Sequence, residues 1–189
     1  MTKTENPQRI IMGVDPGTSI LGYGVILVDK RKVHYVDMGV IDLRKEKDHF
    51  LKLRRIFKEI GELMDKYAPD DLAIEAPFYG KNPQVMLKLG RAQGSAIAAA
   101  LHRGIPVSEY APRKVKMAIT GRGDASKEQV RILMEKTLGI KMESSFLDAS
   151  DALAIAMCHF YQLTNPLVDV SASSTWKSFI DAHQSRVKK

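Results

Sequence analysis

The sequence predicts an α/β domain built on a mixed five-stranded sheet with helices on its flanks. Three observations predict it. Short apolar runs, each too brief for a helix, succeed one another near the N-terminus with only turns between them. An amphipathic helix then separates the third run from a fourth, and a crossover of that kind joins parallel strands. Two of the runs end in a carboxylate with a proline close behind, Asp15-Pro16 and Glu75-Ala76-Pro77, so the chain turns where strands deliver acids.

The 189 residues suffice for one domain with a real core, and 44% hydrophobic with 27% charged residues are ordinary globular values. No apolar run approaches the ~20 residues of a membrane span. Residues 2–8 are polar and lack a signal-peptide core, so the expected location is cytoplasmic. The single cysteine, Cys158, has no partner for an internal disulfide, and no zinc-ligand spacing occurs. A net charge of +7 favours a polyanionic partner. From Arg103 to Arg131, Arg103, Arg113, Lys114, Lys116, Arg122, Lys127 and Arg131 face only Glu109, Asp124 and Glu128. A basic zone beside several carboxylates is what a metal-dependent nuclease needs, because phosphate must be attracted while a cation is held.

Taken in order, Ile10 to Val14 reads as a buried strand with Asp15 at its end, and Pro16-Gly17 turns the chain into a second strand over Gly22 to Val28. A third strand, Lys32 to Asp42, makes an antiparallel meander the simplest arrangement. Asp48 to Tyr67 is an amphipathic helix whose expected apolar stripe is Phe50, Leu53, Phe57, Ile60, Met64 and Tyr67. The fourth strand, Leu72 to Glu75, placed parallel beside the first, brings Asp15 and Glu75 to one edge, where ligands of open α/β sheets collect. The following loop carries Phe78 and Lys81, and an aromatic beside a phosphate site can stack on bases.

Asn82 as N-cap and Pro83 at the first position open a helix to His102. Gly90 and Gly94 lower its stability, which suggests a close approach there by the sheet or by a second subunit. Ile105 to Tyr110 supplies the fifth strand, and Pro112 to Ile119 a short basic helix containing Lys116. A glycine-punctuated loop with Arg122 leads to Ser126 and Gln129, a capping box for the helix Lys127 to Leu138. Lys127 thus sits at a helix N-terminus already favourable to phosphate. Finally, Phe146 to Met157 is an apolar helix with Asp148 and Asp151 three apart on one face. A helix this apolar is buried, and burying carboxylates without a cation is unfavourable. Beyond Thr164 the sequence turns polar, so residues 1–164 are expected to form the domain and 165–189, with Trp176 and Phe179, a partly disordered tail.

Together the motifs resemble the RuvC family of Holliday-junction resolvases, within the ribonuclease-H-like superfamily. The likeness rests on Gly13-Val14-Asp15-Pro16-Gly17-Thr18 with Gly22-Tyr23-Gly24, on Ala73-Ile74-Glu75 with Phe78 following, and on Leu87-Lys88-Leu89-Gly90. It continues through Glu109-Tyr110-Ala111, the stretch Gly121 to Val130, and Asp148-Ala149-Ser150-Asp151-Ala152-Leu153-Ala154-Ile155-Ala156. An Asp-x-Gly-Thr motif also opens the actin-like ATPases, but those duplicate the fold and carry a second phosphate loop, for which this chain has neither length nor motif. The resemblance implies a five-stranded ribonuclease-H-like sheet and a homodimer that makes paired nicks across a four-way DNA junction, with a preference for T-rich sites. It implies two Mg²⁺ ions per active site, with Mn²⁺ plausible, at Asp15, Glu75, Asp148 and Asp151, and a branch-migration complex, RuvA-RuvB, as partner. Phe78 falls where the family stacks an aromatic on the junction core, and Lys116 and Lys127 fall where it places basic residues near the scissile phosphate. Arg122 and Lys81, in neighbouring loops, are further candidates for DNA contact.

Overall fold

The computed structural model describes residues 8–77, 82–142 and 147–164. Five strands form one sheet: β1 (Arg9–Asp15), β2 (Ile20–Asp29), β3 (Lys32–Asp42), β4 (Asp71–Glu75) and β5 (Val107–Tyr110), in the order β3-β2-β1-β4-β5. The first three make the expected antiparallel meander, while β4 and β5 add in parallel on the other side of β1. β5 begins at Val107, two residues later than the sequence suggests, because the Ile105 N–H is taken by the Ala100 carbonyl in the turn before it.

Helices α1 (His49–Tyr67) and α2 (Pro83–Leu101) cover one face; α3 (Pro112–Thr120), α4 (Lys127–Leu138) and α5 (Leu147–Thr164) cover the other. Their starts obey local rules. The Asp48 carboxylate accepts from Leu51 N–H at 3.0 Å, Asn82 accepts from Gln84 N–H, and Ser126 and Gln129 close the capping box in both directions.

The period-2 alternation of the strands sorts side chains between the faces. Met12, Val14, Leu21, Val25, Leu72 and Ile74 enter the core shared with α1 and α2. Ile11, Ile26 and Ala73 enter the core under α5, so Asp15 and Glu75, in step with Ile11 and Ala73, turn toward α5 as well. Among the described residues, α5 is apolar nearly all round and buried from Ala152 to Phe160, and it crosses the middle of the sheet.

Two expectations need correction. The buried stripe of α1 is Ile56, Ile60, Gly61 and Met64; Phe50 is 69% exposed and Phe57 39%. Helical spacing alone could not choose between two neighbouring apolar stripes, and the packing against α2 selects the one containing Gly61, over which the Arg103 guanidinium lies. Gly90 and Gly94 are not approached by the sheet: a Cβ at either would have nothing within 4 Å, because both look outward from α2.

From the end of the sheet away from Asp15, at Arg9 and Asp71, a chain of four polar side chains runs through His159 to Tyr110, the register partner of Glu75. Arg9 forks onto the Asp71 carboxylate, with one arm at 2.8 Å. His159 Nε2 lies 3.7 Å from the same carboxylate, and its Nδ1 shares a 2.6 Å hydrogen bond with the Tyr110 hydroxyl. Burial pulls the His159 imidazole below its ordinary value, so it is neutral at physiological pH.

Candidate metal centre at the sheet edge

β1 ends at Asp15, and one step beyond the Val14–Ile74 register sets Glu75 beside it. Asp148 and Asp151 come from the first turns of α5. One oxygen from each of Asp15, Asp148 and Asp151 lies within 4.8 Å of the others. Glu75 is outside that trio but lines the same cavity of about 230 Å³, with Asp15, Asp151, Val115, Lys116 and Lys127.

Three glycines bring this about. A Cβ on Gly13 would collide with the Ala152 carbonyl of α5, one on Gly22 with the Asp148 carbonyl, and one on Gly24 with Leu153. Gly22 is also the antiparallel partner of Asp15. The helix therefore rests backbone-to-backbone on β1 and β2, and its two acids reach the strand acid.

The electrostatics follow from this crowding. Burial, then the charge of Glu75 and Asp151, pushes the Asp15 carboxyl up to about 8. Burial and Asp151 raise Glu75 to about 7, and burial also raises Asp151 against the pull of Lys127. Lys127 donates to the Asp151 carboxylate and sits 3.9 Å from Asp148. Burial lowers the Lys127 ammonium, but Asp151, Asp15 and Asp148 together outweigh it and the net shift is upward. Four carboxylates against two ammonium groups, Lys127 and Lys116, leave an excess of negative charge when all are ionised. The donor set is all oxygen, which suits a hard divalent cation and not a thiolate- or imidazole-seeking one.

The other predicted residues fare differently. Lys116 lines the cavity. Arg122 does not: its guanidinium forks onto Asp124 at 3.1 and 3.2 Å, and it borders a separate groove with Ile132 and Leu133. Phe78 and Lys81 lie outside the described residues, as does the tail expected over 165–189. The basic zone is also less open than its composition suggests, since Arg103 pairs with Asp65, and Arg131 with Glu128 and Glu135. Sequence reasoning gave no packing role to the three glycines and none to Gln93, whose buried amide reaches the Glu75 carbonyl. Glycine inside a strand, where it weakens pairing, was the available signal for the first.

A five-stranded mixed sheet with acids gathered at the exits of β1 and β4 and at the start of α5 defines a ribonuclease-H-like domain. The family model described as crossover junction endodeoxyribonuclease RuvC matches residues 11–159, and the chain belongs to that family. A crossover junction endodeoxyribonuclease RuvC of Bacteroides fragilis is 53% identical over 183 residues, covering 96% of this chain and 97% of that protein. The RuvC structure of Thermus thermophilus superposes with a TM-score of 0.72 at 32% identity, covering 82% of this chain and 95% of its own. The same protein in complex with Holliday junction substrate gives 0.73 at 29% identity, covering 82% and 96%.

Proposed function

We propose that this protein resolves four-way DNA junctions, cutting two opposed strands by metal-dependent phosphodiester hydrolysis. The observation that carries the reading is the trio Asp15, Asp148 and Asp151, held within 4.8 Å of one another at the sheet edge of a RuvC-family chain. These three and Glu75 hold two Mg²⁺ ions, or Mn²⁺, in this reading. Bound divalent ions of this kind supply an activated water and neutralise the leaving 3′ oxygen. Lys127 offsets charge on the phosphoryl oxygens once its carboxylate partners are engaged elsewhere, and Lys116 adds to the positive rim that draws in the backbone. Phe78 stacks on the junction core, and Lys81 and Arg122 contact the flanking DNA; Arg122 exchanges Asp124 for phosphate to do so.

One active site cannot nick two opposed strands together, so the working form is a homodimer. The outward, uncovered Gly90 and Gly94 on α2, flanked by Leu87 at 62% and Leu101 at 61% exposure, support that helix as the contact. The branch-migration complex delivers the junction in this reading, and the cytoplasm is its setting; among the described residues no helix is long and apolar enough to cross a membrane.

The test is a four-way junction labelled on all strands, incubated with the protein and Mg²⁺. Symmetric nicks by the wild type and none by Asp15→Asn are expected, with junction binding retained by both. Binding without nicking by the wild type, in Mg²⁺ and in Mn²⁺, would sink the proposal.

A further inference from the structure

We infer that Gln93, on α2, is the positioning residue of Glu75; the inference rests on the reading of Glu75 as part of the metal centre. β4 alternates its backbone bonds between its two neighbours. Its even residues bond β5: the Leu72 N–H donates to Pro106 and the Ala76 N–H to Tyr110, each at 2.9 Å. Its odd residues, Glu75 among them, therefore turn their N–H and C=O groups toward β1. With Asp15 beside Glu75, the donor that closes the next parallel rung onto the Glu75 carbonyl is the N–H of residue 16. Residue 16 is proline and has no N–H. The ladder between the two acid-bearing strands thus ends one bond short, at the residue whose side chain must be held.

Gln93 takes up that carbonyl. Its side chain is only 5% exposed, and its Nε2 donates to the Glu75 carbonyl at 3.1 Å. The two meet beside a small cavity of about 90 Å³ lined by Pro16, Glu75, Ala76, Pro77 and Leu89. The proline that turns the chain after Asp15 removes one tether from Glu75, and a glutamine from the opposite layer restores it. Without that tether, the end of β4 and the Glu75 carboxylate beyond it lose their fixed distance from Asp15, while the rest of the sheet keeps its bonds.

Gln93→Met tests this, because it keeps length and burial but has no donor. Gln93→Asn, which keeps the amide but falls one methylene short, is the second variant in case the first packs badly. Each is expected to weaken Mn²⁺ binding measured by calorimetry about tenfold, and to lower the junction-cleavage rate at saturating Mg²⁺ by about tenfold, the scale of a sub-ångström misplacement. Junction affinity without divalent ion should stay unchanged in both. Adding Pro16→Ala to Gln93→Met returns an N–H to the rung and should recover most of the lost ion affinity. Unchanged Mn²⁺ affinity and cleavage in both variants, with Glu75→Gln inactive, would overturn the role of Gln93 alone. A Glu75→Gln variant that cleaves normally would overturn the reading of Glu75 and this inference with it.

Discussion

On one face of the sheet, α1 and α2 stand on bulky side chains: Met12, Val14, Leu21, Leu72 and Ile74 meet Ile56, Ile60 and Met64. On the other face α5 also covers Ile11, Ile26 and Ala73, but its closest approach to the strands is at Gly13, Gly22 and Gly24, which have no side chains. The first packing is tolerant in principle, since side chains repack around a lost methyl. The second is not, because what would meet an added methyl at Gly13 and Gly22 is backbone. The acids sit on the intolerant face. Positional accuracy at the metal centre therefore comes from removing adjustable atoms between helix and sheet, whereas the opposite face supplies bulk stability.

The largest expected effect breaks this contrast directly. Gly13→Val forces α5 off β1, and a displacement of about 1 Å at a catalytic centre lowers the rate on the order of 100-fold. Overpacking against backbone should also destabilise by about 1–3 kcal/mol or more. Ile60→Ala on the other face should cost a comparable or larger ~2–5 kcal/mol, yet leave the cleavage rate per folded molecule within about twofold. Paired thermal melts and single-turnover cleavage check this; a proportionate rate loss in Ile60→Ala would erase the distinction between the faces.

A smaller effect is expected at Lys127. Removing an enclosed charge-stabilising donor typically lowers a rate by roughly 10²–10³, but the Lys127 side chain is 56% exposed, so Lys127→Ala should lower cleavage nearer 10-fold. Junction affinity and its salt dependence should change little. Mainly weaker binding, with a shallower salt slope, would make Lys127 an ordinary phosphate contact.

The smallest effect sharpens the comparison through pH. Asp15 and Glu75 are raised to about 8 and about 7 in the folded, metal-free protein. Both therefore bind protons more tightly folded than unfolded, and folding is favoured where they are protonated. Their contribution is present below the ordinary carboxylate range and is lost as pH rises from about 4 toward 8. Melts in chelator should show the wild type losing ground to Asp15→Asn across that window, and saturating Mg²⁺ should reverse the difference. A wild-type-minus-variant difference that is flat with pH would rule out the raised Asp15.

Much of this was legible in the residues. The meander, the crossover and the caps at Asn82 and Ser126 follow from local patterns that depend on near neighbours in the chain, whereas the meeting of Asp15 with Asp148 and Asp151 was implied only by the resemblance to the RuvC family. What escaped was decided by distant partners. The choice of the Ile56–Ile60–Met64 stripe over Phe50–Phe57 depends on where α2 lands. The engagement of Arg103 by Asp65 and of Arg122 by Asp124 depends on side-chain placement that composition cannot express. Gln93 escaped for a plainer reason: its partner is a backbone carbonyl, which no sequence motif records.

The contacts of Asp71 with Arg9 and His159 at the far end of the sheet give the fold a gradient of opening. There β1, β4 and α5 are joined by polar contacts through Arg9, Asp71 and His159, while at the other end the same elements bring carboxyl groups together that disfavour one another's ionisation. Amide hydrogens along β1 and β4 should therefore exchange slowest near Ile11 and Leu72 and progressively faster toward Val14 and Ile74 in the metal-free protein. Mg²⁺ should slow the fast end selectively. Faster exchange confined to that end would mean that ions enter without the domain having to unfold.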